Sequence, residues 1–221
     1  GGPAPVGILP VEVDLTALHH RSPGVRRDDG GLELVVGVAD RGLVPAVVVL
    51  PPGGHALVAG PPRSGRSTAL AARAAAAHAL GVEVVEVAGG ASLDEDRLEA
   101  ALAQGGPRLV LVDDADLVAA DHPLLGALVR DRRPGRHVVA ACRADRARTL
   151  FAHWVTEVRV DGTGLLLRPD PDLDGELLGV RLPRRGPVPS APGRGWGVGS
   201  APEGVVQIGR EGTVARSHSL M

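Results

Sequence analysis

Two short stretches of this 221-residue chain carry side chains that could do chemistry. One is Gly60-Pro61-Pro62-Arg63-Ser64-Gly65-Arg66-Ser67-Thr68, and the other is Asp113-Asp114. In the first, two glycines frame a loop that a cation and two hydroxyls follow. Backbone N–H groups and a helix N-terminus in this arrangement enclose a polyphosphate, and glycine stands where backbone must curl close to oxygen. The hydroxyl of Ser67 would then sit on Mg²⁺. Arg66 stands where such a loop has lysine. A guanidinium is planar, wide and grips in two prongs, so Arg66 keeps the charge and displaces it. Charge misplaced for the transition state costs rate more than binding. The expectation is an ATP-type site that binds weakly and hydrolyses slowly or not at all.

Asp113-Asp114, taken alone, opens a turn and caps a helix. It also ends the apolar run Leu109–Val112, and sheets of parallel strands bind ligands at the strands' carboxyl ends. Paired with the loop, Asp113 is assigned to Mg²⁺ through water, and Asp114 to orienting or deprotonating the attacking water.

The surrounding elements fit that placement. Strands are expected at Pro45–Leu50 and His55–Ala59, separated by the Pro51–Gly54 turn, with the second running into the loop. Ser67–Leu80 holds eight alanines between Ala69 and Ala79 and stops at Gly81, a helix pattern. Strand Val82–Val87, helix Asp94–Ala103 with Ser92 as its cap, strand Arg108–Val112, helix Leu124–Arg130 and strand His137–Cys142 follow. This alternation predicts a parallel sheet covered by helices on both faces. Glu157–Val160 and Leu165–Arg168 read as shorter strands, Pro183–Pro202 as an irregular extension or an edge hairpin, and the residues from Arg210 as frayed. The boundaries expected are a lead-in over 1–54, a nucleotide-binding core over 55–160, an extension over 161–209 and a tail over 210–221.

Composition restricts the rest. The aromatics are Phe151, Trp154 and Trp196 alone, so the core is aliphatic, with Phe151 and Trp154 expected as plugs on one helical stretch. Cys142 is the single cysteine, which leaves no intrachain disulfide and implies a reducing compartment. The eight histidines show no metal-ligand spacing. No apolar run approaches a bilayer span, and the Gly-Gly start implies a piece of a longer, soluble chain. All 24 basic residues are arginine, and asparagine is absent. That is the signature of a G/C-rich genome, in which an unguarded lysine drifts to arginine. The net charge of −2 lacks the basic footprint of a strong nucleic-acid binder. The cluster Arg130, Arg132, Arg133 and Arg136 reads as a solvated helix end, with phosphate contacts as the alternative.

From about Leu32 to Gln207 the chain resembles the FtsK/SpoIIIE family of ring-forming motor ATPases, most closely the EccC/EssC domains of type VII secretion in actinobacteria. GVADRGLVPAVVV leading into HALVAGPPRSGRSTAL, LVLVDDADLV, RHVVAACR and LLGVRLPRRGPVPSAPGRGW carry the resemblance. It implies a P-loop α/β fold of RecA/FtsK type with a mostly parallel central sheet and a short β-rich C-terminal extension. It also implies ATP and Mg²⁺ as cofactors, with Gly60 to Thr68 as the nucleotide loop, Asp113 as the magnesium acid and Asp114 as the catalytic acid. Arg143 departs from the sensor glutamine of DNA pumps as Arg66 departs from the lysine, which together imply a degenerate ATPase. Partners implied are tandem ATPase domains or ring subunits, with a secreted polypeptide or double-stranded DNA as cargo, at the cytoplasmic face of a membrane. Arg194 would be an arginine finger or part of a tight turn. An active DNA translocase and a nucleotide-free docking module are the competing functions.

Overall fold

The computed structural model describes residues 8–89, 95–103, 105–184 and 191–212. A short helix, α1 (Leu15–Arg21), precedes strands β1 (Val25–Arg26), β2 (Leu32–Ala39), β3 (Pro45–Leu50) and β4 (Ala56–Ala59). Then come α2 (Arg66–Ala79), β5 (Glu83–Ala88), α3 (Glu95–Ala103), β6 (Arg108–Asp113), α4 (Pro123–Asp131) and β7 (Arg136–Cys142). The chain continues through α5 (Ala144–Ala147), α6 (Trp154–Arg159), β8 (Gly164–Leu167), β9 (Arg194–Val198), β10 (Ser200–Ala201) and β11 (Gly204–Ile208).

Among the described residues all eleven strands join one sheet, in the order β10-β3-β2-β11-β9-β8-β4-β7-β6-β5, with β1 on β2. From β8 to β5 every pairing is parallel, and from β8 outward through β9, β11, β2, β3 and β10 every pairing is antiparallel. Strands β4, β6, β7 and β8 are buried on both faces, because their successive residues enter different apolar clusters, whereas the edge strand β5 is largely exposed. Val58, Leu109, Leu111, Val139 and Leu165 pack on the face that α2 covers. Leu57, Val110, Val112, Val138 and Leu166 pack toward α4, α5 and α6. Continuous apolar runs are what such double burial requires. The alanines of α2 have a use here. Ala69, Ala72, Ala74, Ala76 and Ala77 are buried, and a helix without side-chain bulk can lie close to the sheet.

Several expectations are corrected. Glu157–Val160 is not a strand: it lies at the end of α6, which His153 caps by accepting from the Val155 N–H, and which buries Trp154, Val155 and Val158. Phe151 is no core plug, being 85% exposed, whereas Trp154 is buried. The stretch expected as an irregular extension or edge hairpin supplies β9, an interior strand between β8 and β11, as well as the edge strand β10; residues 185–190 lie outside the described residues. Of the tail expected from Arg210 onward, Arg210 itself bridges Asp14 and its carbonyl accepts from the Leu15 N–H, while residues 213–221 lie outside the described residues. Ser92 and Asp94 lie outside the described residues, and α1 had no counterpart in the sequence reading.

Candidate nucleotide site

The loop connects β4 to α2 at the carboxyl end of the parallel strands. Its turn depends on Gly65, which has φ of 103° immediately before the helix. A Cβ on Gly65 would lie 2.7 Å from the Gly193 nitrogen, and the Gly193 N–H donates to the Ser64 carbonyl at 2.8 Å. The second half of the sheet thus reaches across to brace the loop. Gly60 is equally confined, since a Cβ there would lie 2.6 Å from Ser64 Oγ and 2.8 Å from the Cβ of Leu167. Gly60 and Ser64 are buried, Pro61 and Thr68 are half-buried, and Pro62, Arg63 and Ser67 are exposed.

The two stretches singled out from sequence meet. Ser67 Oγ donates to Asp113 Oδ2 at 2.6 Å, while Asp113 Oδ1 accepts from the Asp114 N–H at 2.9 Å. Asp114 itself adopts a left-handed conformation with φ of 44°, a placement that non-glycine residues hold at a cost and that clusters at functional sites. One strand, β7, separates β4 from β6. The acids therefore stand beside the loop across a strand's width.

Arg66 is engaged within the site. Its Nη1 donates to the Gly60 carbonyl at 3.2 Å and its Nη2 to Asp114 Oδ1 at 2.7 Å. The guanidinium bridges the first residue of the loop and the acid. Ser67 and Asp113 are the residues that would hold a magnesium ion, and Ser64 Oγ, buried without a partner, is a donor still available inside the loop. Among the described residues no group of three or more His, Cys, Asp or Glu side chains could hold a metal. A bound Mg²⁺ here would need the hydroxyl and the phosphates.

Other residues fall outside the site. Arg143 folds onto Asp145 through bonds of 3.1 and 2.6 Å. Arg194 is no finger: it is buried and donates to Gln207 Oε1 at 3.0 Å, to the Leu9 carbonyl at 3.0 Å and to the Pro10 carbonyl at 2.7 Å. Burial pushes the Cys142 thiol well above its ordinary range, which suits a packed core residue. Within the arginine cluster, Arg132 pairs with Asp161 at 2.6 Å, Arg133 with Asp131 at 2.7 Å, and Arg136 donates to the Leu102 carbonyl at 3.0 Å.

Two supports were missed from sequence. Asp116 is buried and receives the Arg143 N–H at 3.1 Å and Arg146 Nη1 at 3.2 Å, tying the end of β7 to the acidic turn. Gly89 donates its N–H to the Asp113 carbonyl at 2.7 Å and has no room for a Cβ against the Asp114 carbonyl. The Ala-Asp-Leu after the acid pair and the Gly-Gly after β5 were the available signals.

Loop, helix and the parallel order β8-β4-β7-β6-β5 define a P-loop NTPase fold. Solved structures agree. EssC (ATPases 2 and 3) from Geobacillus thermodenitrificans matches 96% of this chain and 47% of its own, with a TM-score of 0.70 at 15% identity. The cytoplasmic domain of EssC matches 96% and 50%, with a TM-score of 0.68 at 14% identity. Thermomonospora curvata EccC (ATPases 2 and 3), solved in complex with a signal sequence peptide, matches 96% and 46%, with a TM-score of 0.60 at 18% identity. The chain spans about half the length of these structures, and the likeness shows the fold. No family model and no curated protein matches. Among the described residues no helix is long and apolar enough to cross a membrane.

Proposed function

We propose that the chain is an ATP·Mg²⁺-binding module of a secretion motor similar to EssC and EccC, impaired in hydrolysis. The observation that carries this reading is the 2.6 Å contact of Ser67 with Asp113 at the mouth of a glycine-framed loop. Gly60 to Thr68 would hold the phosphates, and Ser67 and Asp113 the magnesium. When bound, the ion supplies charge neutralisation between the phosphate oxygens. Asp114 stands where a water would be oriented, but its carboxylate is engaged by Arg66 at 2.7 Å. That pairing supports slow turnover.

Further parts of the reading rest on likeness. One similar structure is named as the cytoplasmic domain of a type VII secretion ATPase, and another holds a signal sequence peptide. They support a secreted polypeptide as cargo, tandem ATPase domains as partners, and a place at the cytoplasmic face of a membrane within a longer chain. Membership of the FtsK/SpoIIIE family and an actinobacterial source belong to the same proposal. DNA as cargo is the weaker alternative, because Arg132, Arg133 and Arg136 are already engaged within the domain. The Arg66–Asp114 bridge favours one other reading, a docking module that takes no nucleotide.

The deciding measurement is thermal or denaturant stability across an ATP·Mg²⁺ titration. A ligand that binds only the folded state at about 100 times Kd adds about 2.7 kcal/mol. The gain should appear in the wild type and vanish in Asp113→Ala. No gain at millimolar ATP would replace this reading with the docking module. Arg66→Lys should raise turnover; an unchanged rate would remove Arg66 as the cause of impairment.

A further inference from the structure

Helix α2 carries a charged side chain that the nucleotide site does not use. Arg73 is completely buried. Its Nη1 donates to the Ala69 carbonyl, one helical turn back, at 2.7 Å. Its Nε and Nη2 are buried as well, and among the described residues they have no hydrogen-bond partner. These two N–H groups share one edge of the planar guanidinium, the edge that grips an anion in two prongs. The bond to Ala69 therefore fixes the head by its third nitrogen and leaves the gripping edge open.

Arg73 lines a cavity of about 10 Å³ beneath α2. Val36 of β2, Val48 of β3, Leu165 of β8 and Val206 of β11 form aliphatic walls, and Ser200 of β10 adds a hydroxyl. Among the described residues no carboxylate lines this cavity, and no acid offsets the burial of Arg73. A space of that size takes a single particle about as large as a water molecule.

Charge decides what the particle must be. Burial lowers the Arg73 pKa to about 10, which is still far above neutral pH, so the group stands in the core as a cation. An unpaired charge among aliphatic side chains is among the most costly arrangements a fold can hold. One water would satisfy the two N–H groups and leave the charge uncompensated. A monatomic, monovalent anion satisfies both, whereas phosphate or a carboxylate is too large for the space.

The geometry points to a chloride site beneath α2, with the ion held in the Nε–Nη2 fork of Arg73 among aliphatic side chains. Stability then depends on chloride itself rather than on ionic strength. Thermal unfolding of the wild type and of Arg73→Met is followed as sodium chloride replaces sodium gluconate at constant ionic strength. A ligand held only by the folded state raises Tm with its concentration, by roughly 3–5 °C for each tenfold rise above Kd in a domain of this size. The wild type should show that rise. Arg73→Met, which removes both the charge and the fork, should show none. Wild-type crystals grown in sodium bromide should carry an anomalous peak at the fork, a readout that needs no variant to fold. An equal chloride response in the two proteins, no response in the wild type, or a fork without anomalous signal overturns the site.

Discussion

The two ends of the parallel strands are built on opposite terms. At the amino end, polar groups are buried and bonded to backbone. His55 accepts from the Val138 N–H at 3.1 Å through Nδ1, and its Nε2 faces the Val129 carbonyl at 3.0 Å. His137 faces the Gly54 carbonyl at 2.8 Å and the Gly30 carbonyl at 2.9 Å. At the carboxyl end, Arg66, Ser67, Asp113 and Asp114 bond one another near solvent. A group bonded to buried backbone has no second partner within reach. A group bonded to an exposed side chain can exchange that partner for a ligand, so the site end is the end whose bonds are replaceable.

The contrast predicts where substitutions hurt. Trp154 opens α6 and is buried, so Trp154→Ala should cost about 3–5 kcal/mol in denaturant unfolding. Phe151→Ser, three residues away and 85% exposed, should stay within about 0.5 kcal/mol. At the amino end, His137→Ala would remove the imidazole that faces the buried Gly54 carbonyl and open a cavity, for an expected loss of about 3 kcal/mol. A loss below about 1 kcal/mol there would break the distinction between the ends.

Acid should attack the amino end through the same histidines. Burial is the largest influence on both, and it lowers their pKa below the usual 6.5 despite the carbonyls that favour the cation. The folded state then binds fewer protons than the unfolded state once pH falls below about 6.5. Stability is therefore full above that pH and declines as pH drops toward the folded values. Urea midpoints measured from pH 7.5 to 5 should fall, and His55→Gln should flatten the slope. An unchanged slope would clear His55 of this role.

How much of this was legible in the sequence follows the range of the interactions. β4, the loop and α2 were readable because their signals are local: an apolar run, two glycines and a run of alanines. The meeting of Ser67 with Asp113 was readable because parallel topology sends both strands' ends to one edge. α6 was misread because Glu157–Val160 alternates polar and apolar with a period of two, while the burial of Trp154, Val155 and Val158 follows a helical period. Arg194 was out of reach altogether. Its acceptors Leu9 and Pro10 are more than 180 residues away, and no local pattern announces them.

The smallest stability effect should accompany the most informative functional one. The Arg66–Asp114 pair is only partly shielded, with side-chain exposures of 14% and 43%, so it contributes at most about 1 kcal/mol to folding. Asp114→Asn removes the carboxylate's charge and loosens its hold on the guanidinium while leaving Asp113 and Ser67 in place. Unfolding should shift by less than about 1 kcal/mol, and affinity for ATP·Mg²⁺ should rise, since phosphate no longer competes with a carboxylate for Arg66. Turnover should not rise with it, because the position that would orient water has lost its charge. Tighter binding without faster hydrolysis would show that the bridge restrains binding and that Asp114 belongs to the chemistry. Weaker binding would mean that Asp114 helps to hold the ligand, and that the bridge at the open end is part of the cradle.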